Sequence, residues 1–398
     1  MNKLVIAIVI LAFSHTACAV NLSRANKTIG VWTADAIIER HQPTINVLTK
    51  HGWDHSNSIV LHGIEKIYRQ NPKPSYLAYI KGFADDYVNE DGTITGLLTT
   101  LDGIHPGVVC LFLYEITGQQ KYRLAAKTMR DHIMGNENHA SVFAKTPDGV
   151  FWHKNNVKYK NVASVDGLYM KDPFLVRYGL TFNEPNTVDM ALNQVLLVSA
   201  RSFNIKNNLA FHAWSYEKSK PWSDPITGQA TQHWSRASGW FSMALVDILE
   251  YLPQTHPKYS KIHTLFKRVV LGITQAQNPK TGLWYQVLDK YEQKGNYPEV
   301  SGSGMMIYAI KKGIDLGLIS DDYLAAATAG WQGLNKYIKV YSDNGPQVTS
   351  VAPGMSSQNN YQAYVDIAPI SVPRAQVKQY SHGYVGVLMA ASVMESFD

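Results

Sequence analysis

The sequence predicts an all-α protein in which helical hairpins close into a ring around a central cavity, and three observations lead there. Apolar residues recur at helical spacing along most of the chain, glycines stand where those stripes stop, and short Gly-turn segments recur between the helix pairs. Tyr122, Ala125, Ala126, Met129 and Ile133 fall at i, i+3, i+4, i+7 and i+11, and Met305, Met306, Ala309, Ile310, Gly313 and Ile314 follow a similar stripe. Thr117-Gly118 ends one helix and Gln119 to Tyr122 opens the next, the short connection of an antiparallel pair. Asp91-Gly92-Thr93, Pro147 to Trp152 and Lys280 to Tyr285 each place a Gly turn before short extended, mostly aromatic residues, as a small hairpin between helices would. Pairs spaced about every 55 to 65 residues leave room for about six, and a closed ring is their natural arrangement. An open helical solenoid is the alternative, which the Gly-aromatic loops disfavour.

The stretch from Pro221 to Pro253 is the most informative. Phe241, Leu245, Ile248, Leu249 and Leu252 form a helical stripe that Pro253 ends, and Met243, Ala244 and Val246 widen it to a helix packed on both sides. The loop expected ahead of this helix holds Trp222, Trp234, Arg236 and Trp240. Indole faces stack on the apolar faces of sugars and a guanidinium offers a planar fork to a carboxylate, so the set suits an acidic sugar. The competing reading is that the same side chains merely pack a loop.

Residues 1–19 open with Lys3, continue as an apolar run and finish in Ala17-Cys18-Ala19, the layout of a cleaved secretory signal, so the mature chain is expected to begin at Val20 and to be secreted or periplasmic. Cys18 as a lipid carrier ranks second, because His15 stands where a lipoprotein signal has Leu. No later stretch reaches the roughly 18 apolar residues of a membrane span. Only Cys110 then remains, which excludes an internal disulfide. The formal charge of +6, reduced by one when Lys3 leaves, suits an anionic ligand but is too small and dispersed for nucleic acid. No linker or low-complexity tract divides residues 20–398, which read as one catalytic domain, either monomeric or homodimeric.

Five segments together resemble the unsaturated rhamnogalacturonyl hydrolases of glycoside hydrolase family 105, relatives of the unsaturated glucuronyl hydrolases of family 88. They are Leu101-Asp102-Gly103 with its helix to Gly118, the VDGLYMKDPFLVRYG stretch from Val165, the Pro221 to Pro253 block, the stretch from Gly282 to Gly313, and HGYVGVLMAASVMES from His382. The resemblance implies an (α/α)6 barrel that needs no metal or organic cofactor. It implies an enzyme that works downstream of a polysaccharide lyase, releasing the 4,5-unsaturated uronic acid from the non-reducing end of the lyase's oligosaccharide products. The chemistry implied is hydration of an enol ether: an acid protonates C4, water adds at C5, and the hemiketal collapses.

By position in the D-G-L-Y-M motif, Asp166 is the expected general acid and then base, with a pKa raised by apolar neighbours or a second carboxylate. Asp102 matches the second family aspartate and would supply that repulsion; a helix N-cap is the alternative role. The resemblance assigns His212 to the sugar or the attacking water, Arg236 to the acidic end of the substrate and Trp240 to stacking, with Trp53 a further wall candidate. Two departures stand out: Ser164 where many members have Trp, and Ala237 where they commonly have Gly. Two rival functions remain, an endo-acting glycosidase or lyase with Asp224 or Glu299 as a further acid, and a sugar-binding barrel without catalysis.

Overall fold

The computed structural model describes residues 22–49, 52–373 and 381–396, so the expected leader, residues 1–19, lies outside the described residues. Six helices form an inner ring: α2 (His55–Gln70), α4 (Gly107–Thr117), α6 (Asp166–Thr181), α8 (Ser235–Tyr251), α10 (Val300–Asp315) and α13 (His382–Met394). Each packs on the next in that order, and α13 packs on α2 to close the circle. Outside them stand α3 (Pro74–Tyr87), α5 (Gln120–Met134), α7 (Pro185–Ser202), α9 (Tyr259–Gln275), α11 (Leu324–Asn335) and α1 (Ile29–Arg40). This is an (α/α)6 barrel. A one-turn helix, α12 (Tyr361–Val365), sits in the connection before α13.

The two rings differ as their sequences require. In α8 every residue from Ser235 to Leu249 is buried, whereas α9 buries mainly the stripe Ile262, Phe266, Val269, Val270 and Ile273. Between α10 and α13 the backbones nearly touch, since a Cβ on Gly304 would stand 2.1 Å from the Gly386 carbonyl oxygen. Only glycine permits that approach. The ring is fastened where its ends meet: the amides of Ile29 and Gly30, at the start of α1, donate to the Glu395 carboxylate at 2.7 and 2.8 Å. An acid there also meets the positive end of the helix.

The α5 stripe from Tyr122 to Ile133 is wholly buried, and Gly118 ends α4 with φ 67°. The expected hairpins shrink to single bridges, Val88 with Ile94 and Lys145 with Phe151, around left-handed Gly92 and Gly149. True antiparallel pairing occurs elsewhere, Val162–Ser164 with Ala213–Ser215, Phe203–Asn204 with Leu209–Ala210, and Pro346–Val351 between Ile338–Val340 and Ile370–Val372. Strands of two to six residues are too short to declare themselves by alternation. Two other expectations are corrected. Helix α8 begins at Ser235, so Arg236 and Trp240 lie one turn apart on the helix itself and not in a preceding loop. Trp53 is no cavity wall: it is buried in the core, stacked on Phe83 at 5.4 Å between ring centroids. None of the described helices is long and apolar enough to cross a membrane.

Candidate active site

The first turns of α2, α6, α8 and α13 converge on one mouth, because in every hairpin the chain enters the inner ring from the same end. Their first residues, and the loops that lead into them, line a cavity of about 580 Å³. Asp166 is the first residue of α6 and shares its face with Met170 one turn on. Arg236 and Trp240 arrive from α8, His55 from α2 and His382 from α13, while Asp102 comes from a short turn, Leu101–Gly103, ahead of α4. The structure therefore brings together Asp166, Asp102, Arg236 and Trp240. His212 lines an adjoining recess of about 50 Å³, reached past Asp166 and shared with Ser164 and Trp222.

Asp102 is buried and Asp166 is half-buried with its Oδ1 enclosed, and their surroundings drive the two apart. Burial pushes the Asp166 carboxyl up to about 7; Arg236 and His55 oppose the rise, while the Asp102 charge adds to it. Its Oδ1 is buried without a hydrogen-bond partner among the described residues. For Asp102 burial also resists ionisation, but His55, His153 and Lys154 outweigh it and hold the carboxyl below its ordinary value. Lys154 Nζ lies 2.7 Å from Asp102 Oδ2 and His153 Nε2 3.4 Å from Oδ1. The alternative role of N-cap is taken by Thr100, which caps this turn by accepting from the Gly103 amide.

His55 completes the charge pattern. Its Nδ1 stands 2.9 Å from Asp54 Oδ1 and 3.8 Å from Asp102 Oδ1. Although burial opposes protonation, the two carboxylates raise the imidazole to about 9. Asp54, His55 and Asp102 place three possible metal-ligand atoms within 4.8 Å of one another. Their negative charge is already met by His55 and the fixed Lys154 ammonium.

Trp240 forms part of the floor, stacked on Tyr169 at 5.0 Å, and His382 meets its edge at 6.1 Å. Arg236 is almost wholly buried and its fork is not open: Nη1 donates to Ala352 O at 2.6 Å and Nη2 to Pro353 O at 2.7 Å. The further acids named by the endo-acting reading are structural. Glu299 caps α10, accepting from the Ser301 and Gly302 amides, and exposed Asp224 accepts from Ile226 and Thr227 in a turn. His55, His153 and Lys154 escaped the sequence reading. The one available signal was their nearness in the chain to Trp53-Asp54 and to the Trp152 turn, which says nothing about charge.

The model for Glycosyl Hydrolase Family 88 matches residues 32–396. The chain belongs to that family. The family-88 chain is similar to a solved glycoside hydrolase from family 105 of C. acetobutylicum ATCC 824, at 30% identity and TM-score 0.81, covering 92% of this chain and 99% of that one. The unsaturated rhamnogalacturonyl hydrolase YesR of Bacillus subtilis (strain 168) is 22% identical over 341 residues, 85% of this chain and 89% of that protein. Protein Atu3128 of Agrobacterium fabrum is 35% identical over 163 residues, 41% of this chain and 69% of that protein. This family-88 member is therefore a glycosidase, of the unsaturated uronyl and rhamnogalacturonyl hydrolase group.

Proposed function

We propose that the enzyme removes a 4,5-unsaturated uronic acid from the non-reducing end of lyase-generated acidic oligosaccharides, by hydrating the enol ether with Asp166 as acid and then base. The carrying observation is the pair of carboxyls at one mouth with opposed surroundings, Asp166 raised to about 7 with its Oδ1 enclosed and unpartnered among the described residues, and Asp102 held below its ordinary value beside Lys154. A carboxyl raised toward neutrality beside one held ionised can carry a proton at neutral pH.

In the proposed reaction Asp166 gives its proton to C4 of the double bond, and positive charge develops at C5 and its ring oxygen. Water adds to C5 while the Asp166 carboxylate takes the water's proton. The resulting hemiketal opens and expels the neighbouring sugar, so one water is consumed and the proton on Asp166 is restored. A carboxyl poised near 7 can occupy both states without a large penalty in either direction. Trp240 backs the cavity floor against Tyr169, and the cations at the mouth favour an anionic substrate. The spacing rule for retaining and inverting glycosidases does not apply, because no anomeric substitution is involved. The leader-like residues 1–19 favour a secreted or periplasmic enzyme supplied by a lyase in the same compartment.

The test follows the near-ultraviolet absorbance of the conjugated enol-carboxylate on lyase products of several acidic polymers. The expected result is a fall with wild type and none with Asp166→Asn, the fastest substrate naming the polymer. Cutting of a saturated polymer, or binding without turnover on every substrate, would overturn the reading.

A further inference from the structure

One wall of the cavity is a strap, residues 352–364, that runs from the end of the strand Pro346–Val351 into α12 and presents Gly354, Met355 and Ser356 to the cavity. It has no regular secondary structure before α12, and the space around Gly354 is open. Two residues that the sequence reading gives to the substrate are bonded to this strap. Arg236 grips its root through the carbonyls of Ala352 and Pro353, and its guanidinium lies over the Trp234 ring at 4.6 Å. Glu299 holds the same root from α10, accepting from the Ala352 amide at 3.0 Å. His212 holds the other end, its Nδ1 2.8 Å from the Tyr364 hydroxyl and its ring 4.4 Å from that of Trp234.

These bonds occupy the groups that would otherwise read the sugar. Arg236 is 1% exposed and His212 2% exposed, so each has little surface to offer a ligand. The strap between the pins, by contrast, faces the cavity with a thioether and a hydroxyl.

We propose that His212 and Arg236 are positioning residues that act on the substrate through the strap, holding Met355 and Ser356 in place as the wall against which the sugar is bound. The inference rests on the unsaturated-uronate reading for its substrate. A pinned strap is ordered before binding. An unpinned one must be ordered by the substrate, which weakens binding without touching the proton transfer at Asp166. Loss of a pin should therefore raise KM and leave kcat nearly unchanged.

The decisive experiment is a double-mutant cycle with Tyr364→Phe and His212→Gln in the full chain. It measures kcat and KM on the unsaturated oligosaccharide and, separately, hydrogen exchange of peptides covering residues 352–360. Each single variant is expected to raise KM on the order of threefold to tenfold, the worth of one hydrogen bond, with kcat within about twofold. The double variant should be no worse than the stronger single one, and exchange in the strap should quicken in all three. His212→Asn, whose amide group reaches the Nδ1 position, should restore most of the lost affinity. Arg236→Lys, which keeps the charge but cannot bridge two carbonyls, should also quicken exchange. If Tyr364→Phe matches wild type in KM and exchange while His212→Gln loses activity, His212 contacts the sugar directly and the proposal falls. Effects on KM that multiply in the double variant overturn it as well. Should His212→Gln fail to fold, the single-oxygen change Tyr364→Phe decides alone. A wild type that never consumes the oligosaccharide would instead refute the substrate reading, and the exchange arm would still report on the strap.

Discussion

The two ends of the barrel bury the same kinds of side chain and treat them in opposite ways. At the end away from the cavity, Asp247 on α8 accepts from Lys312 Nζ and from the Tyr308 hydroxyl, both at 2.8 Å, and Lys312 also reaches Glu250 at 2.7 Å. Glu65 meets Arg69 at 2.9 Å, and Glu115 receives both Arg69 and Arg177. At the mouth, Asp166 is only partly enclosed, and its buried Oδ1 has no hydrogen-bond partner among the described residues. Burial opposes ionisation of both aspartates, but Lys312 and Lys66 overcome it for Asp247, whereas for Asp166 burial prevails. Pairing holds charge safely inside a protein, and withholding the partner at one position makes a proton available there.

The comparison breaks most visibly at Asp166. Asp166→Asn should lower kcat by at least about a thousandfold, as expected for loss of a general acid, in the absorbance assay. The same variant should be more stable than wild type at high pH. Because the folded pKa of about 7 lies above the ordinary carboxyl value of 3.8, wild type loses stability as pH rises through that interval. Melting temperatures of the two should therefore converge near pH 4 and separate by an amount worth a few kcal/mol above pH 7. The rate of wild type should fall as pH rises through about 7, where the acid is lost.

Lys312→Met is the converse change at the paired end. Leaving Asp247 and Glu250 without their cation should cost about 3–5 kcal/mol, seen in chemical denaturation, while kcat per folded molecule stays at the wild-type value. Unchanged stability would mean that the far cluster is already neutral. Lys154→Met sits between the extremes. With its nearest cation gone, the Asp102 carboxyl should protonate more easily, so the acid limb of kcat/KM should move toward neutrality by about one pH unit. The smallest effect is expected at Trp53, where Trp53→Phe trims a core contact with Phe83. It should cost about 1–2 kcal/mol and leave KM and kcat as they were.

Asp166, Asp102 and Trp240 were legible in the sequence because each sits in a short motif and reaches the cavity from its own helix start or turn. The beginning of α8 was not legible. Its first turn and a half is polar or small at Ser235, Arg236, Ser238 and Gly239, so the apolar stripe used to find helices is interrupted there. Trp53 was misread for the complementary reason, as an indole near a site can equally be core. The roles of Arg236 and His212 depend on Ala352, Pro353 and Tyr364, which are remote in the chain and lie in a strap without periodicity.

What the sequence by itself determined is the alternation of helix and turn and the family to which the chain belongs. Those properties are carried by residues close together in the chain, where helical periodicity, glycine stops and short motifs can be read directly. Only the tertiary structure decided which carboxyl is raised toward neutrality and which side chains hold the wall. Protonation follows from desolvation and from charges at 54–55, 102, 153–154 and 236, which four separate segments bring to one mouth, and no spacing along the chain encodes that meeting.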